Sequence, residues 1–247
     1  SGLVGSEMCI RDRYTNCLKN VSVLSCETSQ AYNFLCNNSV FSKPMSQKLV
    51  LLPNAFDEEE FVTSGISERE FQQKENLIIT VGRLGSHQKN TEMILDALEC
   101  MELKAWKFVF IGPVEENFHQ AIEHFYQKYP GKKEQILFIG KLDNKKDLWE
   151  WYNRAKVFVC TSRWESYGIV LNEAKRFKNY IISTNVGGAA DLIEQEKYGT
   201  FVKQEDSTDL NRLLSLIVDG AINIDIYQDY DVKQLSYHRA VSYTHLT

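Results

Sequence analysis

From residue 77 onward, short unbroken apolar runs alternate with longer stretches whose apolar residues recur every three or four positions. The short runs are "LIITVG" (77–82), "KFVFIG" (107–112), "ILFIG" (136–140), "KVFVCTS" (156–162), "YIIST" (180–184) and "GTFV" (199–202). They show no polar alternation, the pattern of strands covered on both faces in a parallel sheet. Helical periodicity falls between them, over "NTEMILDALECM" (90–101), "ENFHQAIEHFYQKY" (116–129), "DLWEWYNRAK" (147–156) and "DSTDLNRLLSLIVD" (206–219). Pro130 and Gly131 stop the second of these, and Asp206 or Ser207 caps the last. This alternation predicts an α/β fold built on a doubly wound parallel sheet, with ligands beyond the carboxyl ends of the strands.

Before residue 77 the pattern changes. "VSVLSC" (21–26) reads as a strand, "TSQAYNFLC" (28–36) as a helix, and "KLVLLPNAF" (48–56) contains a second strand that Pro53 and Asn54 break. The polar stretch 57–76 reads as a connector, which places a domain hinge near Pro53–Asp57. The ends follow neither pattern. "GLVGSEMCIRDR" (2–13) lacks the apolar core of a signal peptide, and both it and "AVSYTHLT" (240–247) resemble translated adapter read-through.

A chain of 247 residues fits one large domain or two small ones. The net charge is −5 with Lys and Arg spread along the chain, which disfavours nucleic acid as a partner. No apolar run approaches the roughly 20 residues that cross a bilayer. The cysteines, Cys9, Cys17, Cys26, Cys36, Cys100 and Cys160, form no CxxC pair and have no histidines at zinc spacing. They read as buried reduced thiols of a cytosolic protein, with extracellular disulfides as the alternative.

The residues with chemical potential stand at predicted strand ends. In "VGRLGSHQKN" (81–90), Arg83 leaves a strand and Lys89 starts a helix, with Gly82 and Gly85 in the loop. Two cations beside a helix N-terminus suit a phosphate, although the same pattern also serves as a plain surface loop. The segment has neither the Lys-Ser/Thr ending of a P-loop nor a GxGxxG fingerprint. The turn Gly140-Lys141-Leu142 can receive a flat base or be a turn only. "TSRWESYGIVLNEAKRF" (161–177) is the most informative stretch. Glu165 falls in a turn, Gly168 opens a helix, and Glu173 lies more than one turn inside it. Free N–H groups around Tyr167–Val170 favour an anion, and carboxylates accept well from paired hydroxyls. The two glutamates would then grip two polyols on either side of a diphosphate; the alternative is a helix-start charge and a solvated face. Gly187 and Gly188, in "STNVGGAADLI" (183–193), permit close approach of a ligand or make a tight turn.

The order "LLPNAFD", "VGRLGSHQKN", "FIGKL", "ESYGIVLNEA", "NVGGAADLI" resembles retaining glycosyltransferases of family 4 over about residues 20–220. That family folds as two Rossmann-like domains facing a cleft (the GT-B fold), the second binding the nucleotide sugar and the first the acceptor. The resemblance implies a hexosyltransferase. It assigns Arg83, Lys89 and Glu165 as catalytic: the two cations on the leaving diphosphate, Glu165 on hydroxyls of the transferred sugar. Gly82, Ser166, Tyr167, Gly168, Ile169 and Val170 would contact sugar and phosphate, Glu173 the ribose, and Lys141 and Leu142 the base. Tyr167 replaces a common phenylalanine, Ala55 a common glycine and Asp191 a common glutamate. The expected division is 1–13 as an artefactual extension, 14–52 as the remnant of an acceptor domain, 53–225 as the donor domain, and 226–247 as a truncated helix, begun at "LSYHRA", and tail. No metal-binding motif is visible and no cofactor is implied, so the two cations take the charge of the diphosphate. The donor would be a UDP-, GDP- or ADP-sugar, and the acceptor a saccharide or lipid-linked saccharide. The setting would be cytoplasmic, with peripheral association of the parent protein at the inner face of a membrane, in polysaccharide assembly. Alone, the chain is expected to bind donor weakly and not to turn over. The rivals are a nucleotide-sugar 2-epimerase on the same fold and a non-catalytic nucleotide-sugar-binding domain.

Overall fold

The computed structural model describes residues 20–37 and 47–236. The expected extension 1–13, the tail 240–247, Cys9, Cys17 and most of "LSYHRA" lie outside the described residues. The chain divides into two compact units between Pro53 and Asn54. In the first unit, strands β1 (Leu24–Cys26) and β2 (Leu49–Leu51) pair in parallel, and helix α1 (Ser29–Asn37) lies between them in sequence. The Thr28 hydroxyl accepts from the Ala31 N–H at 3.1 Å and so caps α1.

The second unit carries a six-stranded parallel sheet. Its strands are β3 (Glu75–Val81), β4 (Lys107–Ile111), β5 (Ile136–Gly140), β6 (Ala155–Cys160), β7 (Tyr180–Ser183) and β8 (Gly199–Phe201). The spatial order is β5-β4-β3-β6-β7-β8. The chain runs outward from β3 to β5, returns to lay β6 beside β3, and runs outward again to β8. The order thus reverses between β3 and β6, and a crevice opens at such a switch point.

The unbroken apolar runs have a direct cause. Successive side chains of a strand point to opposite faces, and both faces here are covered. Ile78, Phe108, Phe110, Val157 and Ile182 pack on one side with Ile94 and Leu98 of α3 (Thr91–Glu99) and Leu214 of α8 (Ser207–Val218). That core also takes Phe118 and Phe125 of α4 (Glu116–Lys128). Ile79, Val109, Phe158 and Ile181 pack on the other side with Trp149 and Tyr152 of α5 (Lys145–Arg154). Leu171 and Ala174 of α6 (Ile169–Arg176) and Ile193 of α7 (Ala189–Ile193) complete that second core.

Two expectations need correction. The stretch 57–76 is not a bare connector, because helix α2 (Glu58–Ser64) forms within it. Asp57 accepts from the Glu60 N–H at 2.9 Å, three glutamates occupy the first turn, and Gly65 ends the helix at φ +69°. Phe61 then packs edge-on against Phe56 and Phe177. The cysteines are also not uniformly buried: Cys160 is, but Cys36 and Cys100 are exposed and Cys26 is half-buried.

The fully buried Arg176 joins α6 to α2. It donates to both oxygens of Glu58 at 2.6 and 2.9 Å and to Glu68 at 2.8 Å, with its guanidinium 4.5 Å from the centre of the Phe61 ring. Both carboxylates keep some water contact, which limits the cost of losing the cation. Arg176→Met keeps the packing on Phe61 and is expected to lose about 1–2 kcal/mol, read as a lower urea midpoint at unchanged slope.

Candidate functional site at the switch point

The loops after β3 and β6 meet over the crevice. The first is bonded into shape. The Gly85 N–H donates to Thr91 Oγ1 at 2.6 Å, and the Lys89 N–H to the Ser86 carbonyl at 3.0 Å. Gly85 has φ +82°, and a Cβ there would lie 2.2 Å from Phe118 Cβ, so no other residue fits. Asn90, just before α3, takes a left-handed φ of 49° without a side-chain cap bond. The Thr161 hydroxyl, at the end of β6, lies 3.0 Å from the carbonyls of both Lys89 and Asn90 and fastens the two strand ends together.

This fastening brings Lys89 to Glu165. Their charged groups are 2.6 Å apart, with side chains 19% and 9% exposed. Glu165 also accepts from the Ser162 hydroxyl at 2.7 Å and from the Gln88 amide at 3.3 Å. The carboxylate, read from the sequence as a partner for hydroxyls, is engaged within the site. It is the counter-ion of Lys89. Arg83 is directed elsewhere: its side chain is mostly exposed, with Nε 3.3 Å from Glu115.

The turn continues into α6 through Gly168, at φ +92°. The N–H groups of Ile169 and Val170 open the helix and lie outside its hydrogen-bond ladder. Ile169 is exposed, Tyr167 is buried, and Ser166 is exposed. The glycine pair 187–188 makes its close approach to this turn. A Cβ on Gly187 would lie 2.6 Å from the Tyr167 carbonyl and 2.9 Å from Glu165 Cβ, and the Gly188 N–H donates to that carbonyl at 2.7 Å. The pair thus supports the Glu165 turn from below, a third role beside the ligand contact and the simple tight turn.

Glu173 is half-buried and accepts from the Trp149 indole N–H at 3.3 Å. Burial raises its carboxyl above the usual glutamate range, against the opposing pull of Trp149, Tyr152 and Lys145. It is not a solvated face residue. Lys141 is exposed and paired with Asp143, while Leu142 is half-buried against the core. Gly82 sits under the Lys89 side chain, whose Cε would be 3.1 Å from an added Cβ.

Structure therefore unites Lys89 with Glu165 and sets residues 166–170 beside them, while Arg83, Lys141 and Glu173 have other partners. Sequence reasoning missed Gln88 and Ser162, which hold Glu165, and Trp149, which holds Glu173. Among the described residues no group of three or more His, Cys, Asp or Glu side chains is placed to hold a metal, and no helix is long and apolar enough to cross a membrane.

Comparison with known proteins shows the family and the fold. The family model described as "Glycosyl transferases group 1" matches residues 65–228. The amylovoran biosynthesis glycosyltransferase AmsD of Erwinia amylovora is 27% identical over 148 residues, 59% of this chain and 40% of that protein. The lipopolysaccharide core biosynthesis mannosyltransferase LpcC of Rhizobium leguminosarum bv. viciae is 28% identical over 157 residues, 60% of this chain and 43% of that protein. The chain thus spans well under half the length of these curated relatives. Among solved structures, a glycosyltransferase from Rickettsia africae ESF-5 superposes with a TM-score of 0.70 at 15% identity, covering 96% of this chain and 65% of that one. Anabaena Alr3699/HepE in complex with UDP and glucose gives 0.64 at 15% identity, covering 95% and 66%. The fold is the α/β, parallel-sheet fold of GT-B glycosyltransferases.

Proposed function

This chain belongs to the group 1 glycosyl transferases, and we propose that its second unit is the donor-binding half of a retaining glycosyltransferase of family 4. The observation that carries this reading is the Lys89–Glu165 pair at the β3/β6 switch point, with the N-terminus of α6 beside it. A nucleotide-diphosphate sugar brings negative charge and hydroxyl groups, and these residues offer a partner for each. The diphosphate takes the N–H groups of Ile169 and Val170 and the charge of Lys89, with Arg83 turning in from Glu115. Developing charge on the leaving diphosphate is then met by donors already in place. Glu165, released from part of its bond to Lys89, accepts from hydroxyls of the transferred sugar. Glu173, oriented by Trp149, accepts from the ribose hydroxyls, and Lys141 and Leu142 border the base. Gly82 gives the Lys89 side chain room to lie across the strand end.

The UDP named in complexes of structural neighbours supports a uridine donor, with GDP- and ADP-sugars as the alternatives. The relatives' names, in amylovoran and lipopolysaccharide core biosynthesis, support a saccharide or lipid-linked acceptor in cell-surface polysaccharide assembly. We place the parent protein in the cytoplasm at the inner face of the membrane. The chain alone is proposed to bind donor weakly and not to turn over.

Calorimetric titration with UDP, GDP and ADP tests the reading. Binding of one nucleotide that weakens in Glu173→Ala supports it, and the absence of binding to a folded chain and to its longer parent rejects it. The buried carboxyl adds a pH signature. Its folded pKa lies above the ordinary 4.5, so it gains its proton earlier on acidification and stops accepting from hydroxyls. Nucleotide affinity is expected to fall with decreasing pH at a midpoint above that value, and Glu173→Gln is expected to flatten the profile. By the same sign, Glu173 contributes stability that is present below its unfolded pKa and lost as the pH rises through its folded one.

A further inference from the structure

Glu165 carries its bonds unequally. Oε1 takes the Lys89 ammonium at 2.6 Å and the Ser162 hydroxyl at 2.7 Å. Among the described residues, Oε2 takes the Gln88 amide alone, at 3.3 Å. A carboxylate oxygen has two lone pairs, so Oε1 is filled and Oε2 keeps a place for one more donor. A hydroxyl that bonds Glu165 therefore meets Oε2, beside Gln88.

Gln88 is held in position there. Its backbone carbonyl accepts from the Arg163 N–H at 2.8 Å, and its side-chain nitrogen donates to the Trp164 carbonyl at 3.1 Å as well as to Glu165. Both partners of that nitrogen are acceptors, so the amide turns its N–H groups to them and its oxygen away. The two N–H groups are engaged, and the amide oxygen has no partner among the described residues. The side chain is half-buried and lines a concavity of about 410 Å³ together with Arg83 and Trp164. None of these bonds involves Lys89 or Arg83, so the arrangement does not depend on either cation turning to a phosphate. Two neighbouring acceptors, Glu165 Oε2 and the Gln88 amide oxygen, thus each keep a vacant lone pair. They suit two neighbouring donors, which adjacent hydroxyls of a hexopyranose supply. A phosphate brings acceptors and gains nothing from that oxygen. A sugar lacking one of the two hydroxyls leaves an acceptor unmet, the kind of loss on which polar sites discriminate.

We propose that Gln88 is a specificity-determining residue of the donor site, its amide oxygen and Glu165 Oε2 accepting from two adjacent hydroxyls of the transferred sugar. This rests on the donor reading above and adds to it a sugar class, a hexose with a free vicinal diol, and the residue that reads the second hydroxyl. A Gln88 that only braced the turn would use its nitrogen and leave its oxygen idle. The full chain is titrated calorimetrically with UDP, GDP and ADP, and with the glucose, galactose and mannose esters of the nucleotide that binds. The tightest of these esters is then compared with analogues in which fluorine, which cannot donate, replaces one sugar hydroxyl at a time. Two adjacent positions are expected to cost about five- to tenfold in affinity each. In Gln88→Met, which keeps the length of the side chain and removes the amide, one of those two costs is expected to vanish and the other to remain. Gln88→Asn, which draws the amide back, is expected to behave likewise, whereas a loosened turn would weaken every analogue alike. Costs at no two adjacent hydroxyls, or both costs undiminished in the variants, overturn the pairing, while nucleotide binding that weakens in Glu173→Ala still upholds the donor site. A folded chain that binds neither nucleotide nor sugar nucleotide removes the donor site, and the pairing falls with it.

Discussion

Glu165→Gln is expected to bind UDP more tightly than the native chain while losing the sugar transfer proposed for the whole protein. The opposite signs follow from the pairing. Lys89 and Glu165 hold each other at 2.6 Å, largely shielded from water, so an incoming phosphate competes with a carboxylate already on the ammonium. Glutamine keeps the shape and keeps an oxygen for Ser162, which is 2.7 Å from the native carboxylate. It removes the competing charge. Charge-assisted bonds to a desolvated ammonium are among the stronger ones, so a gain of about tenfold in UDP affinity, roughly 1.4 kcal/mol, is expected. The carboxylate lost is the one proposed to accept from the sugar, so turnover in the parent is expected to fall by about 100-fold or more. Lys89→Met separates this account from simple disruption. It leaves Glu165 without its counter-ion and is expected to abolish measurable UDP binding. Titration calorimetry on the three proteins decides the matter: equal UDP affinity in the native and Glu165→Gln chains would mean that Lys89 does not meet the diphosphate.

The sheet was legible because its cause is local. Ile78 and Ile79 are neighbours in sequence and enter different cores, so no polar residue can stand at either place. Strand ends, and hence the positions of Arg83, Lys141 and Glu165, follow from where those runs stop. The helix Glu58–Ser64 was hidden by composition, since its one buried residue, Phe61, sits among acidic neighbours. Its cap at Asp57 was the signal available. Partners of the site residues were less readable. Trp149 reaches Glu173 from another helix, and Gln88 reaches Glu165 from another strand end. Neither contact has a spacing that a linear pattern reports. The glycine pair shows the same limit from the other side. Its need for backbone proximity was visible, but the thing approached was the Tyr167 carbonyl of the same chain.

Loss of Lys74 is expected to weaken the second unit strongly, although the residue lies at the end of the sheet away from the crevice. Its side chain is buried, and the three N–H groups of its ammonium are shared among the carbonyls of Tyr152, Asn153, Ala155 and Phe177, which lie 2.8–3.2 Å from Nζ. These oxygens close α5 and α6, whose last carbonyls have no partner within the helix. The Asn179 amide also serves Tyr152 and Ala155, at 2.9 and 2.6 Å. Lys74→Met fills the same channel with an apolar chain and takes the ammonium away from the carbonyls of Asn153 and Phe177. At about 1–3 kcal/mol for each buried group left unsatisfied, the loss is expected to be about 2–5 kcal/mol. In a domain of this size that corresponds to a fall in Tm of about 5–15 °C. The consequence extends to the site, because the Trp149–Glu173 bond spans the same two helices. Under conditions where Lys74→Met remains folded, UDP binding is expected to weaken as α5 and α6 lose their common anchor. Thermal unfolding and titration on one preparation test both parts. A Tm within about 2 °C of the native value would show that water satisfies these carbonyls as well as the ammonium does.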